Sequence, residues 1–331
     1  MGQEEEKKKL IVLTGPTASG KTELSVRLAE KIGGEIISAD SMQVYRGMDI
    51  GSAKIRPDEM RGVPHHLIDV LDPDEPFDAA LFQRLAKMAM DGIWSRGHIP
   101  ILTGGTGFYI QGVVYDVDFT ENDGDMSLRR ELEAIGREPS GKERLHEMLR
   151  EVDPDAAEQI HPNNVKRTIR AIEYHQQTGQ TMSAHNREER NKTSPYRFVY
   201  FVLEDERDEL YRRIDQRVEQ MIRQGLEKEV RTLRAGGITR EMTSMQGLGY
   251  KEMMDYLDGL IPYEEAVRRI KRDTRHFAKR QLTWFRRERD VTWIRKQDYG
   301  RDPDRILAAM LDILQRRGII QIEEQEEDMG K

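Results

Sequence analysis

The sequence predicts an α/β protein: a parallel sheet core with helices on both faces and an inserted, mainly helical domain. Three observations predict it. Short β-branched and aliphatic runs at 10–13, 34–40 and 97–103 alternate with amphipathic helical stretches, as in crossover βα units. A glycine-rich turn joins the first run directly to a helix. From Thr120 to about Arg190 no convincing strand occurs, and Arg197–Leu203 then supplies one again.

Taken in order, Leu10 to Leu13 reads as a fully buried strand. It ends in Gly15-Pro16-Thr17-Ala18-Ser19-Gly20-Lys21-Thr22, a full match to the phosphate loop G-x-x-x-x-G-K-[ST]. Glu23 to Lys31 follows as a helix, with Leu24 and Leu28 one turn apart and Gly33-Gly34 closing it. Strand, loop and helix come in the order a P-loop NTPase-like core requires. In such a loop the backbone N–H groups wrap an anion and the helix N-terminus adds partial positive charge. Lys21 would reach the outer phosphates, and Thr22 would place its hydroxyl on a Mg²⁺ ion. Gly15 to Thr22 are therefore the expected polyphosphate or diphosphate site.

A second strand spans 34–40 and runs into Ser41–Arg46. Residues 47–54 read as glycine-punctuated loop, and Pro57, Pro64, Pro73 and Pro76 keep the region irregular. Within it, 66–70 is a candidate third strand. Ala79 to Trp94 reads as a helix with Leu81, Leu85, Met88 and Ile93 near one face. Residues 97–103 form a further buried strand ending in Gly104-Gly105-Thr106-Gly107. Helical patterns at 128–135 and 165–175 mark the insertion. The expected division is a core over 1–118, a helical insertion over 119–192, the core resumed with C-terminal basic helices over 193–318, and an acidic disordered tail over 319–331.

Composition narrows the classes. With 331 residues the chain has room for a sizeable core and two lobes. Charged residues make up 34%, no apolar stretch reaches membrane-spanning length, and the charged start lacks a signal-peptide core. A cytoplasmic protein without membrane contact is expected. The absence of cysteine excludes disulfides, Cys-ligated zinc and thiol catalysis. A net charge of −7 argues against a uniformly basic coat, yet leaves room for a local basic face.

The phosphate loop alone admits kinases, GTPases, ATPases and diphosphate-using transferases. No Asn-Lys-x-Asp or Asp-x-x-Gly motif supports a GTPase. The strand over 99–105 ends in Thr103-Gly104-Gly105-Thr106 rather than in a magnesium-holding Asp. The carboxylate at a strand end is Asp40, which could hold magnesium through water, cap a helix or serve as a general base.

The run from Asp40 to Lys54, the phosphate loop, Gly104–Tyr109, Val152–Ala157, Ile160–Arg170, Arg212–Val218, Gly247–Lys251 and Ala278–Trp284 together resemble the bacterial tRNA dimethylallyltransferases. The resemblance spans roughly residues 9–295. It implies transfer of a dimethylallyl group from dimethylallyl diphosphate to N6 of the adenosine 3′-adjacent to the anticodon, with Mg²⁺ as cofactor. Eukaryotic relatives often carry a zinc finger, which a cysteine-free chain lacks. In the family's terms Asp40 is the general base, Lys21, Thr22 and Arg217 stabilise the leaving diphosphate, and Thr106 lies near the target base. Asp40, Ser41, Met42 and Gln43 contact the extruded nucleotide, Gln43 as a base-reading amide. Further tRNA contacts are implied at Arg129, Lys166, Arg167 and Arg170, and at Gly247, Tyr250 and Lys251. The tRNA anticodon stem-loop and dimethylallyl diphosphate are the expected partners, with no obligate protein partner.

Residues 268–289 form the strongest basic segment. Arg268, Arg272, Arg275, Lys279 and Arg286 fall on one helical face with Ile270, Phe277 and Trp284 opposite, and Arg280 adjoins them. A helix buried by its aromatic side would track phosphates with its outer side. The eight histidines show no metal-site spacing, and Met242, Met245, Met253 and Met254 read as core. Three rivals remain: a prenyltransferase acting on a free adenine nucleotide, a small-molecule kinase, and a non-catalytic RNA-binding protein.

Overall fold

The computed structural model describes residues 7–119 and 127–321. The charged N-terminal segment 1–6 and the acidic stretch from 322 onward lie outside the described residues. Two compact units emerge, one from residues 1–114 with 195–331, the other from 115–194.

In the first unit the chain runs β1 (Lys9–Thr14), α1 (Lys21–Ile32), β2 (Glu35–Ala39), β3 (His65–His66), α2 (Ala79–Ser95), β4 (Pro100–Gly104) and α3 (Gly107–Val114). The second unit holds α4 (Ser127–Arg137), α5 (Gly141–Val152), α6 (Pro154–Gln159), α7 (Val165–Thr178) and α8 (Met182–Asn191). The first unit resumes with β5 (Arg197–Glu204), α9 (Arg207–Gln224), α10 (Leu226–Ala235), α11 (Tyr250–Leu257), α12 (Tyr263–Phe285), β6 (Val291–Arg295) and α13 (Pro303–Arg316).

The strands form one all-parallel sheet in the order β3-β2-β4-β1-β5-β6. β1 lies inside it, with Leu13 opposite Thr103 of β4 on one side and Phe201 of β5 on the other. Burial on both faces explains its unbroken aliphatic run. Ile11, Leu13, Ile36, Ile101 and Phe201 pack under Leu24, Val26 and Leu28 of α1 and under Ile306, Met310 and Leu314 of α13. The alternate residues Leu10, Val12, Ile37, Leu102 and Tyr200 are buried as well, so the other face is also covered, and α2 packs on β2 and β4. Truncating one such buried leucine to alanine costs about 2–5 kcal/mol.

Four local expectations are corrected. The third strand is only two residues long, because Leu67 and Asp69 adopt left-handed φ of 62° and 55°, which ends strand geometry. The buried stripe of α2 is Phe82, Ala86, Met90 and Ile93, an i, i+4, i+8, i+11 series, while Met88 is 70% exposed. The short edge strand β6 was not anticipated; three of its five residues are only half-buried, so it lacks a buried strand's apolar signature. Residues 319 and 320 do not belong to a solvated tail: both isoleucines are buried in the core beneath α1, and Ile319 N–H donates to Leu314 O at 2.9 Å.

The second unit has its own core, Leu132, Leu145, Leu149, Ile160, Ile169 and Ile172. Buried Asp153 organises it: Oδ1 accepts the Ala156 N–H at 3.0 Å as the α6 N-cap, and Oδ2 accepts the Ser183 N–H at 2.9 Å.

Candidate active site

The site lies at the carboxyl ends of β1, β4 and β2, the crevice where parallel α/β sheets bind ligands. The register Thr14–Gly104–Ala39 places the phosphate loop, the Gly105-Thr106 turn and Asp40 side by side. A cavity of about 320 Å³ opens there. Thr17, Lys21, Thr22, Asp40, Ser41, Met42, Gln43, Thr106, Arg217, Gly247 and Arg280 line it, so these eleven of the site residues expected from sequence converge on one space.

The phosphate loop is wound tightly. Ala18 has φ of 62° and Gly20 φ of 90°, a left-handed geometry that Gly20 meets without a Cβ penalty. Two distant residues brace the loop. Lys296, in the turn after β6, donates from Nζ to Ser19 O at 2.9 Å, and burial lowers its pKa. Gln281 of α12, 6% exposed, accepts the Thr17 N–H at 2.9 Å through Oε1 and donates to Gly105 O at 2.9 Å through Nε2. Neither was singled out from the sequence. The available signal for Gln281 was an uncharged polar residue on the same helical face as Ala278 and Phe285.

Lys21 lies in the cavity wall, its Nζ donating to Pro16 O at 3.3 Å. Removal from water, and secondarily nearby Arg217, lower its pKa to about 8, with Asp40 opposing the shift. Arg217, from α9 between Ile214 and Val218, is also pushed down by burial, with Asp40 pulling the other way. Two cations and one carboxylate therefore share a water-poor space, an arrangement suited to an anionic ligand.

Asp40 is half-buried and follows β2 directly. Its Oδ1 accepts the Met42 N–H at 2.9 Å and the Gln43 N–H at 3.4 Å; Oδ2 has no hydrogen-bond partner among the described residues. One oxygen thus fixes the turn and the other stays available. The Gln43 amide is pre-oriented: Oε1 accepts the Ser38 hydroxyl at 3.1 Å, and Nε2 points to the carbonyls of Ser52 and Ala53 at 3.4 and 3.3 Å. Thr106 immediately precedes α3, and its N–H donates to Ala39 O at 3.3 Å. Thr103 Oγ1, in the wall, is buried without a partner among the described residues. Apolar side chains of Ile214, Val218, Leu248, Ile270 and Phe277 complete another part of the wall.

Two of the other expected contacts, Tyr250 and Arg129, are engaged within the fold. Tyr250 is 0% exposed; its hydroxyl donates to Glu229 Oε1 at 2.7 Å and accepts the Ser52 N–H at 3.2 Å, so it is a scaffold residue and presents no surface to RNA. Glu229 in turn accepts the N–H groups of Asp49, Ile50 and Gly51. Gly247 touches the site through its backbone: a Cβ there would stand 2.7 Å from Met42 Sδ. Lys251 is exposed. In the second unit Lys166 and Arg167 are exposed, whereas Arg129 is held by buried Glu173 at 2.7 Å.

The face of α12 is not uniformly basic. Arg268 pairs with Glu265, Arg272 with Asp273, Arg275 with Asp215 at 2.6 Å, and Arg286 with Glu204. Phe277 and Trp284 are only half-buried: Phe277 faces the cavity, and Trp284 packs edge-on to Phe108, which is 47% exposed. Lys279, Arg280 and Arg287 have no ion pair among the described residues, and with His276, Thr283 and Trp284 they line a shallow groove. The unneutralised charge sits at this end of the helix.

Sheet order, phosphate loop and cavity define a P-loop NTPase-like α/β protein. The match to known proteins is more specific. The model of the IPP transferase family covers residues 43–288, and that of the isopentenyl transferases covers residues 8–74. A tRNA dimethylallyltransferase of Lachnoclostridium phytofermentans is 57% identical, over 94% of this chain and 99% of its own length. The crystal structure of the full-length tRNA isopentenylpyrophosphate transferase of Bacillus halodurans superposes with TM-score 0.70 at 46% identity, covering 94% of this chain and 98% of that one. A eukaryotic dimethylallyltransferase acting on tRNA superposes with TM-score 0.79 at 29% identity, over 96% of this chain and 81% of that one. The chain belongs to the IPP transferase family, the tRNA dimethylallyltransferases. Among the described residues no helix is long and apolar enough to cross a membrane.

Proposed function

We propose that this chain, as a tRNA dimethylallyltransferase, prenylates N6 of the adenosine 3′-adjacent to the anticodon, with Asp40 as general base. The observation that carries the assignment is the open Oδ2 of Asp40 in the same cavity as Lys21, Thr22 and Arg217. The adenine N6 attacks the first carbon of the dimethylallyl group, the carbon–oxygen bond to diphosphate breaks, and Asp40 takes the N6 proton. An exocyclic amine conjugated to the ring is a poor nucleophile, so removing its proton as the bond forms is worth about 10²–10⁴ in rate. Lys21, Arg217 and the loop N–H groups face the leaving diphosphate, where charge develops. Gln43, held by Ser38 and the Ser52–Ala53 carbonyls, offers a fixed amide to the extruded base. Ile214, Val218, Leu248, Ile270 and Phe277 provide an apolar surface for the prenyl tail.

The donor set suits magnesium. Thr22 is a hard oxygen donor on the cavity wall, and Mg²⁺ keeps several waters and takes its remaining ligands from a phosphate group. No cluster of three His, Asp or Glu side chains able to hold a metal alone occurs among the described residues, so the diphosphate itself would complete the site. When bound, Mg²⁺ offsets negative charge on the diphosphate.

For the RNA, the favoured contact surface is the groove of Lys279, Arg280, Arg287 and Trp284, with Lys251 as a further cation of the same unit; the second unit offers exposed Lys166 and Arg167 of its own. The test is direct: unmodified tRNA and Mg²⁺ are incubated with dimethylallyl diphosphate, with AMP replacing tRNA, or with ATP replacing the prenyl donor, and the digested nucleosides are weighed. An adenosine heavier by one five-carbon unit in the first tube alone supports the reading. Prenylated AMP, or ATP turnover with no change in RNA, rejects it.

A further inference from the structure

We infer that Gln281 is a positioning residue that sets the distance between the diphosphate half and the adenosine half of the active site. The inference rests on the proposed reading that the phosphate loop holds the diphosphate and Thr106 flanks the target base. Gln281 lies 264 residues beyond Thr17 in sequence and 176 beyond Gly105, yet its one amide bonds both. Oε1 takes the Thr17 N–H, and Nε2 gives a proton to the Gly105 carbonyl, each at 2.9 Å. The fit admits no slack: a Cβ on Gly105 would stand 2.2 Å from Nε2. The two loops follow neighbouring strands, β1 and β4, but neither Thr17 N–H nor Gly105 O takes part in a strand ladder bond.

The chemistry of the residue type matters. Only a side chain with both a donor and an acceptor at its tip satisfies an N–H and a C=O at once. Glutamate offers acceptors alone when ionised, and leucine offers neither. Gln281 also withdraws the Thr17 N–H from the anion-binding set, leaving that task to the amides that follow. Its position on α12, next to Arg280 at the cavity, anchors the same helix that carries Lys279. The side chain points inward, so its loss leaves the outer RNA-facing groove chemically unchanged.

Two variants of the full chain test this. Q281L keeps the volume and removes both bonds; Q281E keeps the bond to Thr17 and sets an oxygen against the Gly105 carbonyl. Calorimetric binding of dimethylallyl diphosphate with Mg²⁺, without tRNA, is measured beside steady-state turnover. A displacement of about 1 Å costs about 10²-fold in such geometry. Q281L is expected to bind the diphosphate about 10-fold more weakly and to lose about 10²-fold in kcat, with the KM for tRNA within twofold. Q281E is expected to lose kcat while still melting cooperatively. Wild-type values for both kcat and diphosphate affinity in Q281L overturn the inference. So does a rise in tRNA KM parallel to the diphosphate effect in both variants, which marks a core residue. If wild type itself binds no diphosphate, or binds it as well after K21M, the underlying reading of the loop fails instead.

Discussion

Asp40 Oδ1 accepts the Met42 N–H at 2.9 Å while Oδ2 carries no hydrogen bond among the described residues. The two oxygens of one carboxylate therefore have separate duties, and substitution can separate them. D40N keeps an acceptor for the Met42 amide and removes the base. It is expected to leave tRNA and diphosphate affinity near normal while kcat falls by about 10²–10⁴. D40A loses the turn as well and should additionally raise the KM for tRNA. Single-turnover rates with saturating tRNA decide it; an unchanged D40N rate removes Asp40 from the proton transfer.

Lys21 gives the reaction an alkaline limit. Its pKa is lowered from 10.5 to about 8, chiefly by desolvation, so the free enzyme loses this positive charge as pH rises through about 8. Because kcat/KM reports free-enzyme ionisations, kcat/KM for dimethylallyl diphosphate should decline above that pH. Bound diphosphate favours the charged form, so kcat itself should hold to higher pH. K21M should be weak at all pH values and show no such limb. A wild-type kcat/KM that stays flat to pH 10 contradicts this role.

The ion pairs along α12 sort its cations. Arg275 is already matched by Asp215 and Arg272 by Asp273, whereas Lys279, Arg280 and Arg287 are unmatched among the described residues. Reversing Lys279 or Arg287 to glutamate should weaken tRNA binding and lower the salt slope by about 1 for each phosphate that is no longer neutralised. R275E, which sets like charges together, should lower stability and move the slope less. Equal slopes for all three variants would return the RNA to the whole helix face.

The phosphate loop was legible because its information is local: strand, turn glycines and helix start lie within thirteen consecutive residues. The parallel core followed from aliphatic runs that are buried on both faces. What stayed hidden depends on separation in sequence. Nothing near Gln281, Lys296 or Glu229 announces that their partners are Thr17, Ser19 and the amides of residues 49–51. Tyr250 misled for the same reason. The resemblance implies an RNA contact at Tyr250, and nothing beside it in sequence shows that Gly51 and Glu229 close over it. The α12 stripe misled because it counted the cations alone: Glu265 and Asp273 pair with Arg268 and Arg272 on the same helix, and a helical projection omits acids on its neighbours. Asp215 and Glu204 lie on other elements.

The sheet's opposite end carries a charge network that predicts acid behaviour. Glu35, 2% exposed at the start of β2, receives Arg96 through Nε and Nη2 at 2.8 and 2.7 Å. The ring nitrogens of His66 Nε2 and His98 Nδ1 complete the set, each at 2.7 Å. The Arg96 hydrogen bonds lead in lowering the Glu35 pKa from 4.5 to about 2, against the cost of burial. A carboxylate depressed in the folded state contributes stability that is fully present above its unfolded pKa and lost as pH falls through the folded value. The contribution should therefore be constant above about pH 5 and fade between about 4.5 and 2. E35Q should cost about 1–2 kcal/mol at pH 7, toward the lower end because Arg96 is half exposed to solvent. The gap between wild type and E35Q in urea unfolding should then close as the pH is lowered toward 3. A gap that persists undiminished at pH 3 would mean that Glu35 contributes through shape and neutral hydrogen bonds, with its charge irrelevant.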